Sequence, residues 1–144
     1  MFRLDEFSER LKARVPDLEI QNAGQFARLI ESNQLPQFRK GAFVLPGRLS
    51  GGQVQTLTGF YAQAVTEGVS VVLVVRVASD PTGAKALDEI TPLIRSVVNA
   101  VCGWGPADAP GVFALTSGEL VGSQAGALIF QIDFSLLDQL RITS

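Results

Sequence analysis

The chain has 144 residues, with 12 basic and 14 acidic side chains, a formal net charge of -2, no histidine and one cysteine. This weak charge argues against sequence-independent binding to nucleic acid, because such binding depends on neutralising phosphates. A single cysteine excludes an intramolecular disulfide and is typical of a chain made in a reducing compartment. The hydrophobic fraction of 47% is high for a chain with 18% charged residues, and it predicts apolar surface that contacts a partner.

The length fits one domain, residues 1–144, with a core of its own. The N-terminus alternates charged and apolar residues and lacks the apolar centre of a signal peptide. The longest strongly apolar stretch, 69–78, contains Arg76 and is too short to cross a bilayer as a helix. We therefore expect no membrane partner.

The chain is predicted to begin with an amphipathic helix followed by a short strand. Apolar residues recur at spacings of three and four, which is the period of a helix face: Leu4, Phe7, Leu11 and Val15. Pro16 ends this helix, because proline cannot continue its hydrogen bonds. Leu18 and Ile20 then alternate as in a strand.

A second, short helix is predicted to start at a capping box. Asn22 and Gln25 have the spacing at which each side chain bonds the other's backbone amide. The expected buried face of this helix consists of Phe26, Ala27 and Ile30.

The segment 41–46, "GAFVLP", is predicted to form a short strand. The glycine-rich stretch 47–59, "GRLSGGQVQTLTG", follows it. That stretch lacks the lysine and hydroxyl residue of a phosphate-binding loop, and no helix follows it. Two interpretations remain open. The stretch is a mobile hairpin tip, or it becomes ordered against another protein.

The central strand is predicted to follow, from Tyr61 onward. Mostly β-branched residues alternate there with period two: Val65, Val69, Val71, Leu73, Val75 and Val77. Glu67 and Gly68 interrupt the pattern and predict a bulge or bend.

A long helix is predicted within 79–106. Asp80 can cap it, Pro81 suits its first position, and Gly103 is placed to end it. Pro92 inside it predicts a kink. Its expected buried side consists of Leu87, Ile90, Ile94, Val97, Val98 and Val101.

The last third predicts strands joined by turns at Ser117-Gly118 and at "GSQAG", 122–126. Its final strand has an apolar face of alternating residues: Leu128, Phe130, Ile132, Phe134 and Leu136. We expect this face to share a core with Val71, Leu73 and Val75. The predicted fold is α+β, a mostly antiparallel sheet packed against two longer helices, with an extended hairpin or loop.

Catalytic chemistry has little support in the sequence. Without histidine there is no Ser-His or Cys-His arrangement, and the carboxylates are scattered over predicted helix faces and one strand. Trp104 follows the glycine that ends the long helix, where an aromatic side chain usually fastens the helix end to the core. We expect a protein that is not an enzyme and needs no cofactor or metal.

The order of these parts resembles the lambda-type tail terminator proteins of long-tailed phages. The resemblance rests on "FVLPGRLSGG", on a helix ending in "VCGWGP", on "LTSGELVG", and on the "FQIDF" strand followed by "LLDQLR". It covers nearly the whole chain. Each piece is short, so the order and spacing carry the resemblance.

The resemblance implies a structural protein whose subunits form a ring, six in the family, on the completed tail tube. The implied partners are further copies of the chain, the tail tube protein and the head-completion or connector protein. DNA would pass through the ring without sequence-specific binding. The implied location is the virion, at the head–tail junction of the tail, after assembly in the host cytoplasm.

Interface residues are expected from location alone, in and around the glycine-rich stretch: Arg39, Lys40, Arg48, Leu49, Gln53, Leu57, Phe60, Tyr61 and Arg76. The arginines and the lysine are either solvated charges or partners in ion pairs between subunits. Two other interpretations stay open, another neck or tail-completion protein and a dimeric module that binds a small ligand.

Overall fold

A computed structural model describes residues 2–33, 39–78, 82–124 and 126–143. The helices are α1 (Leu4–Arg14), α2 (Ala23–Ser32) and α3 (Ala84–Val101). The strands are β1 (Glu19–Gln21), β2 (Lys40–Leu57), β3 (Phe60–Arg76), β4 (Ala114–Gln124) and β5 (Ala127–Thr143). They form one sheet in the order β1-β2-β3-β5-β4, in which only the short β1–β2 pair is parallel. The predicted α+β fold is confirmed.

The main core lies between one face of the sheet and the pair α1 and α3. Side chains that alternate along β3 and β5 point into it, as predicted, because successive residues of a strand face opposite sides. The fully buried members of the predicted set are Val71, Leu73, Val75, Ile132, Phe134 and Leu136. Phe130 lies on the same face and is half-buried.

An aromatic cluster fastens α1 to the end of α3. The Phe7 ring is fully buried and meets Phe113 edge to face at 5.2 Å and Phe134 at 6.0 Å. Trp104 stacks on Phe113, and the Arg10 guanidinium lies 5.4 Å from the Trp104 ring centroid. Gly103, with a φ of 81°, ends the turn after α3, a conformation that favours glycine. Trp104 thus has the structural role expected from the sequence.

α2 covers part of the opposite face of the sheet. The predicted capping box is confirmed, with Asn22 and Gln25 exchanging both hydrogen bonds. The predicted buried face is wrong in part, since Ala27 is exposed and Ile30 is 66% exposed. Phe26, the third predicted member, does pack against Phe43, together with Leu29, because only one side of this helix contacts the sheet.

α3 buries a face that is rotated slightly from the predicted one. Its buried residues are Ala86, Ile90, Leu93, Val97, Ala100 and Val101. Leu87 is 56% exposed, so its predicted burial is wrong. The helix is continuous through Pro92, which is exposed. Its N-cap is Gly83, while the predicted capping residues Asp80 and Pro81 lie outside the described residues.

Candidate functional site

Three strands continue past the core and form an extension, which we define as residues 48–67 and 136–143. β2 pairs with β3 as far as the turn between Leu57 and Phe60, and β5 pairs with β3 until Thr143 lies opposite Phe60. Beyond Val69 and Leu136, no described residue of these strands belongs to either core cluster. The predicted extended hairpin or loop is therefore a hairpin, and its first strand is longer than the predicted segment 41–46. Most of the stretch 47–59 is paired strand, and only its end is a turn.

A bulge marks the base of the extension. Pro46 pairs with Val69 and Leu49 with Glu67, so two residues of β2 face the single residue Gly68. A Cβ on Gly68 would lie 2.8 Å from the backbone nitrogen of Arg48, which is closer than side-chain carbons approach backbone atoms. The irregularity predicted at 67–68 thus falls on β2, while β3 and β5 stay in unbroken register.

The outer β2–β3 part of the extension carries no charge, whereas its β5 part contains Asp138 and Arg141. Residues 51–66 contain no acidic or basic side chain, and residues 51–59 are all exposed. Val54 and Leu57 are large apolar side chains among them, and Leu57 is 76% exposed. The Tyr61 hydroxyl donates to Gln63 at 2.8 Å, and the Gln63 amide donates to the Gly52 carbonyl at 3.2 Å. Depletion of charge together with apolar and aromatic side chains is typical of the core of a protein interface.

The predicted interface residues form two groups at opposite ends of the β2–β3 hairpin. Six lie in the extension: Arg48, Leu49, Gln53, Leu57, Phe60 and Tyr61. The other three lie where β2 begins and β3 ends: Arg39, Lys40 and Arg76. Arg39 forms an ion pair with Glu89 of α3. At a strand rise of about 3.3 Å per residue, Lys40 lies roughly 26 Å from Arg48, and Arg76 lies roughly 50 Å from Tyr61, so the two groups do not form one site.

Glu67 is a buried carboxyl group at the base of the extension that the sequence reasoning missed. It is 2% exposed, and its Oε2 accepts a hydrogen bond from the backbone amide of Phe2 at 3.1 Å. Its Oε1 is buried and has no hydrogen-bond partner within the part of the chain that the structure describes. The sequence did indicate its burial, because Glu67 lies at a period-two position between the inward-facing Val65 and Val69. Glu67 ties the start of the chain to the extension.

Asp133 organises a polar cluster on the other face of the sheet. It accepts hydrogen bonds from Ser70 at 2.6 Å, Gln131 at 3.1 Å and Ser117 at 3.2 Å. Partial burial raises the pKa of Asp133, but these hydrogen bonds outweigh it and the pKa falls below its ordinary value. The cluster lines an open groove of about 490 Å³ that also contains Arg48. The hydrogen bonds of the Asp133 cluster link β3, β4 and β5.

β4 forms the far edge of the sheet. Ser117 and Gly118, predicted as a turn, lie inside this strand, so that prediction is wrong. A Cβ on Gly118 would lie 3.0 Å from the Phe130 ring, and the glycine thus gives the ring space. The strand bulges twice against β5. Four half-exposed apolar residues, which we name the β4 strip, lie on β4 and just before it: Val112, Leu115, Leu120 and Val121.

Within the described ranges, no group of three or more histidine, cysteine, aspartate or glutamate side chains is placed to hold a metal ion. No helix among these residues has the length and apolar character needed to span a membrane.

Comparison with known protein families decides the identity. The family described as phage tail terminator protein matches residues 1–143, which is nearly the whole chain. The chain belongs to this family. Tail terminators are structural phage proteins, so membership gives this terminator a role in tail completion and a place in the virion tail. A search of curated proteins found no match to it.

Proposed function

We propose that copies of this terminator close into a ring of six that caps the tail tube, stops its polymerisation and presents a surface to the head connector. Family membership over residues 1–143 supports a tail-completion role. Segment 51–59, which is uncharged and exposed throughout, is the observation that carries the finer proposal, because it is an ordered surface that neither core cluster of the described residues covers.

A closed ring needs a head-to-tail interface, in which each subunit offers two different complementary surfaces. The extension is one such surface, and we assign to it the contacts of Arg48, Leu49, Gln53, Leu57, Phe60 and Tyr61. Arg39, Lys40 and Arg76 lie at the other end of the hairpin. We propose that they contact a different neighbour, either the next subunit or the connector.

The remaining parts of the proposal follow from this role. The chain folds as one domain, residues 1–144, and acts by assembly rather than by catalysis. It joins the tail in the host cytoplasm and stays at the head–tail junction of the virion. DNA passes through the ring, and the absence of charge over 51–66 suits a surface that does not hold it.

Shortening the extension tests the proposal. Ser50 and Thr66 are cross-strand partners, so residues 51–65 can be replaced by an Asn-Gly turn that keeps this pair. We expect a cooperative melt, since neither core cluster contains a residue of 51–65. Tails assembled with this variant should be overlong and uncapped in electron micrographs.

The control is Ile30→Ser, which changes an apolar residue on α2 that is exposed like Val54 and Leu57 but lies outside the extension. Tails assembled with the control should have normal length. Normal tail length with the shortened, folded variant would contradict the proposal. Labelled terminator found away from the end of the tube would favour a different tail-completion role.

A further inference from the structure

We propose that the extension of one copy docks on the β4 strip of a second copy, so that these two surfaces are the complementary halves of one repeated contact. The inference rests on the proposed ring and names the surfaces that close it. Three features of the described residues support it: where exposed apolar side chains lie, which edges of the sheet are open, and how charge is distributed along them.

Exposed large apolar side chains are concentrated on two surfaces. Among the described residues, eleven are exposed, and nine of them belong to the extension or to the β4 strip. Those on the extension are Leu49, Val54, Leu57, Leu137 and Ile142. The other two, Ile30 and Leu87, stand alone on α2 and α3. By strand register, Leu49, Val54 and Ile142 share one face of the extension, and Leu57 and Leu137 share the other. Concentrated exposed apolar surface usually marks a contact with another protein.

The β2 side of the extension and β4 lie toward opposite edges of the sheet, whereas residues 136–143 of β5 form an open edge on the β4 side, because the β4 pairing ends at Ser135. β4 is one edge strand, and β2 lies toward the other edge, where β1 pairs only with its residues 41–43. Beyond Phe43 the outer side of β2 therefore has no strand partner among the described residues. β4 lies beside residues 68–76 of β3, whereas the extension lies at the level of residues 60–67. The second copy must therefore be tilted, or shifted along the strands by roughly 25 Å, to bring its β4 to the extension of the first. The arrangement leaves one unused surface of each kind for further copies, as a closing ring requires.

Charge favours contact between unlike edges over contact between like edges. Residues 46–60 carry a single charge, Arg48, and residues 112–123 carry a single charge of opposite sign, Glu119. A contact of β2 with β2, or of β4 with β4, brings like charges together, while a contact of β2 with β4 brings opposite charges together. Residues 46–60 and 112–123 are otherwise neutral, and the β5 part of the extension adds one charge of each sign, Asp138 and Arg141, so few charged groups lose water when the surfaces meet.

Cysteine cross-linking tests this contact directly. The natural thiol is first removed by Cys102→Ser, and Leu57→Cys and Leu120→Cys are then made in separate proteins. Under mild oxidation, the mixture should give at least about tenfold more disulfide dimer than either protein alone, since each alone can join only like surfaces. Leu87→Cys is the matched control, because Leu87 and Leu120 are both 56% exposed. It should cross-link to neither partner above background.

Charge insertion supplies an independent readout. Leu57→Asp and Leu120→Asp should each weaken self-association about tenfold or more, whereas Leu87→Asp should not. When the two impaired variants are mixed, one intact surface of each remains. The mixture should form dimers of one copy of each and no larger species, as measured by analytical ultracentrifugation.

The outcomes separate this inference from the proposed function. Cross-linking of the mixture no better than that of the single proteins overturns the contact. Normal tail capping by both aspartate variants also overturns it, while the proposed function stands. Specific cross-linking by a terminator that fails to cap tails leaves the contact in place and overturns the proposed function.

Discussion

Replacing Gly68 by alanine should destabilise the protein, although the position has no positive φ and lies in a strand. The reason is the bulge at the base of the extension, where β2 and β3 approach each other closely. An added Cβ would lie 2.8 Å from the nitrogen and 3.0 Å from the oxygen of Arg48. Both are backbone atoms, so the two strands must move apart to accommodate the methyl group.

The expected magnitude follows from two opposing effects. Overpacking of a tightly packed site costs about 1–3 kcal/mol. Alanine offsets part of this by reducing the conformational entropy of the unfolded chain, an effect of about 0.4–1 kcal/mol. We therefore expect Gly68→Ala to lower the free energy of unfolding by about 1–2 kcal/mol.

Gly122→Ala is the matched control, because Gly122 lies in β4 with its nearest side-chain atom at an ordinary 3.6 Å. Glycine in a strand is destabilising by about 0.5–1 kcal/mol relative to alanine, so this variant should gain stability. Urea denaturation followed by circular dichroism measures both free energies. A Gly68→Ala protein as stable as the wild type would refute the reasoning, since the strands could then move apart at the bulge without a loss of stability.

Two further predictions concern the core and the polar cluster. Phe7→Ala should lower the free energy of unfolding, measured in urea, by about 3–5 kcal/mol, because the ring is fully buried among aromatic neighbours. Phe130→Ala, at a half-buried site, should lower this free energy clearly less. Equal decreases for the two variants would contradict the assigned core. Because hydrogen bonds lower the pKa of Asp133 below its ordinary value of 3.8, its ionised form stabilises the fold above that pH. This stabilisation is lost as the pH falls through the lowered pKa. The free energy of unfolding of the wild type should therefore drop on acidification more steeply than that of Asp133→Asn. Parallel pH profiles of the two free energies would contradict the role of Asp133.

The sequence predicted the elements that bury an alternating or helical apolar face. The pattern from Val69 to Val75 and that of β5 repeat with the strand period because one side of each meets the helices. The capping box at Asn22 was also readable, since its two hydrogen bonds depend only on residues three positions apart. Local chemistry and the period of burial are properties that a single sequence carries.

The β2 part of the extension could not be predicted as strand because its residues do not face a core. Hydrophobic periodicity records burial, and residues 51–59 are exposed on β2 and in the turn. Their strand structure comes from backbone pairing with β3, which leaves no apolar alternation in the sequence. The glycines of 47–59 indicated a loop, whereas Gly47 actually permits a close approach of β2 to Gly68 on β3.

The errors on the helices and on β4 have a different cause. Leu87 and Ile30 fit a helical apolar stripe, but both side chains are exposed and neither belongs to a core cluster. Gly118 makes space for the Phe130 ring, a neighbour from another strand. Burial by distant parts of the chain decides such positions, and the local pattern does not record it.

The unbroken pairing of β3 with β5 has a consequence for the order in which the chain folds. The β2–β3 hairpin is local and can close within about 1–10 μs, whereas β5 is synthesised only after α3 and β4. Until β5 arrives, the central strand of the finished sheet is an edge strand, with its apolar run from Val69 to Val75 open to other chains. Exposed edges of this kind favour aggregation during folding. We therefore expect refolding yields to fall with protein concentration, and newly made chains to be most vulnerable just before the last strand is added.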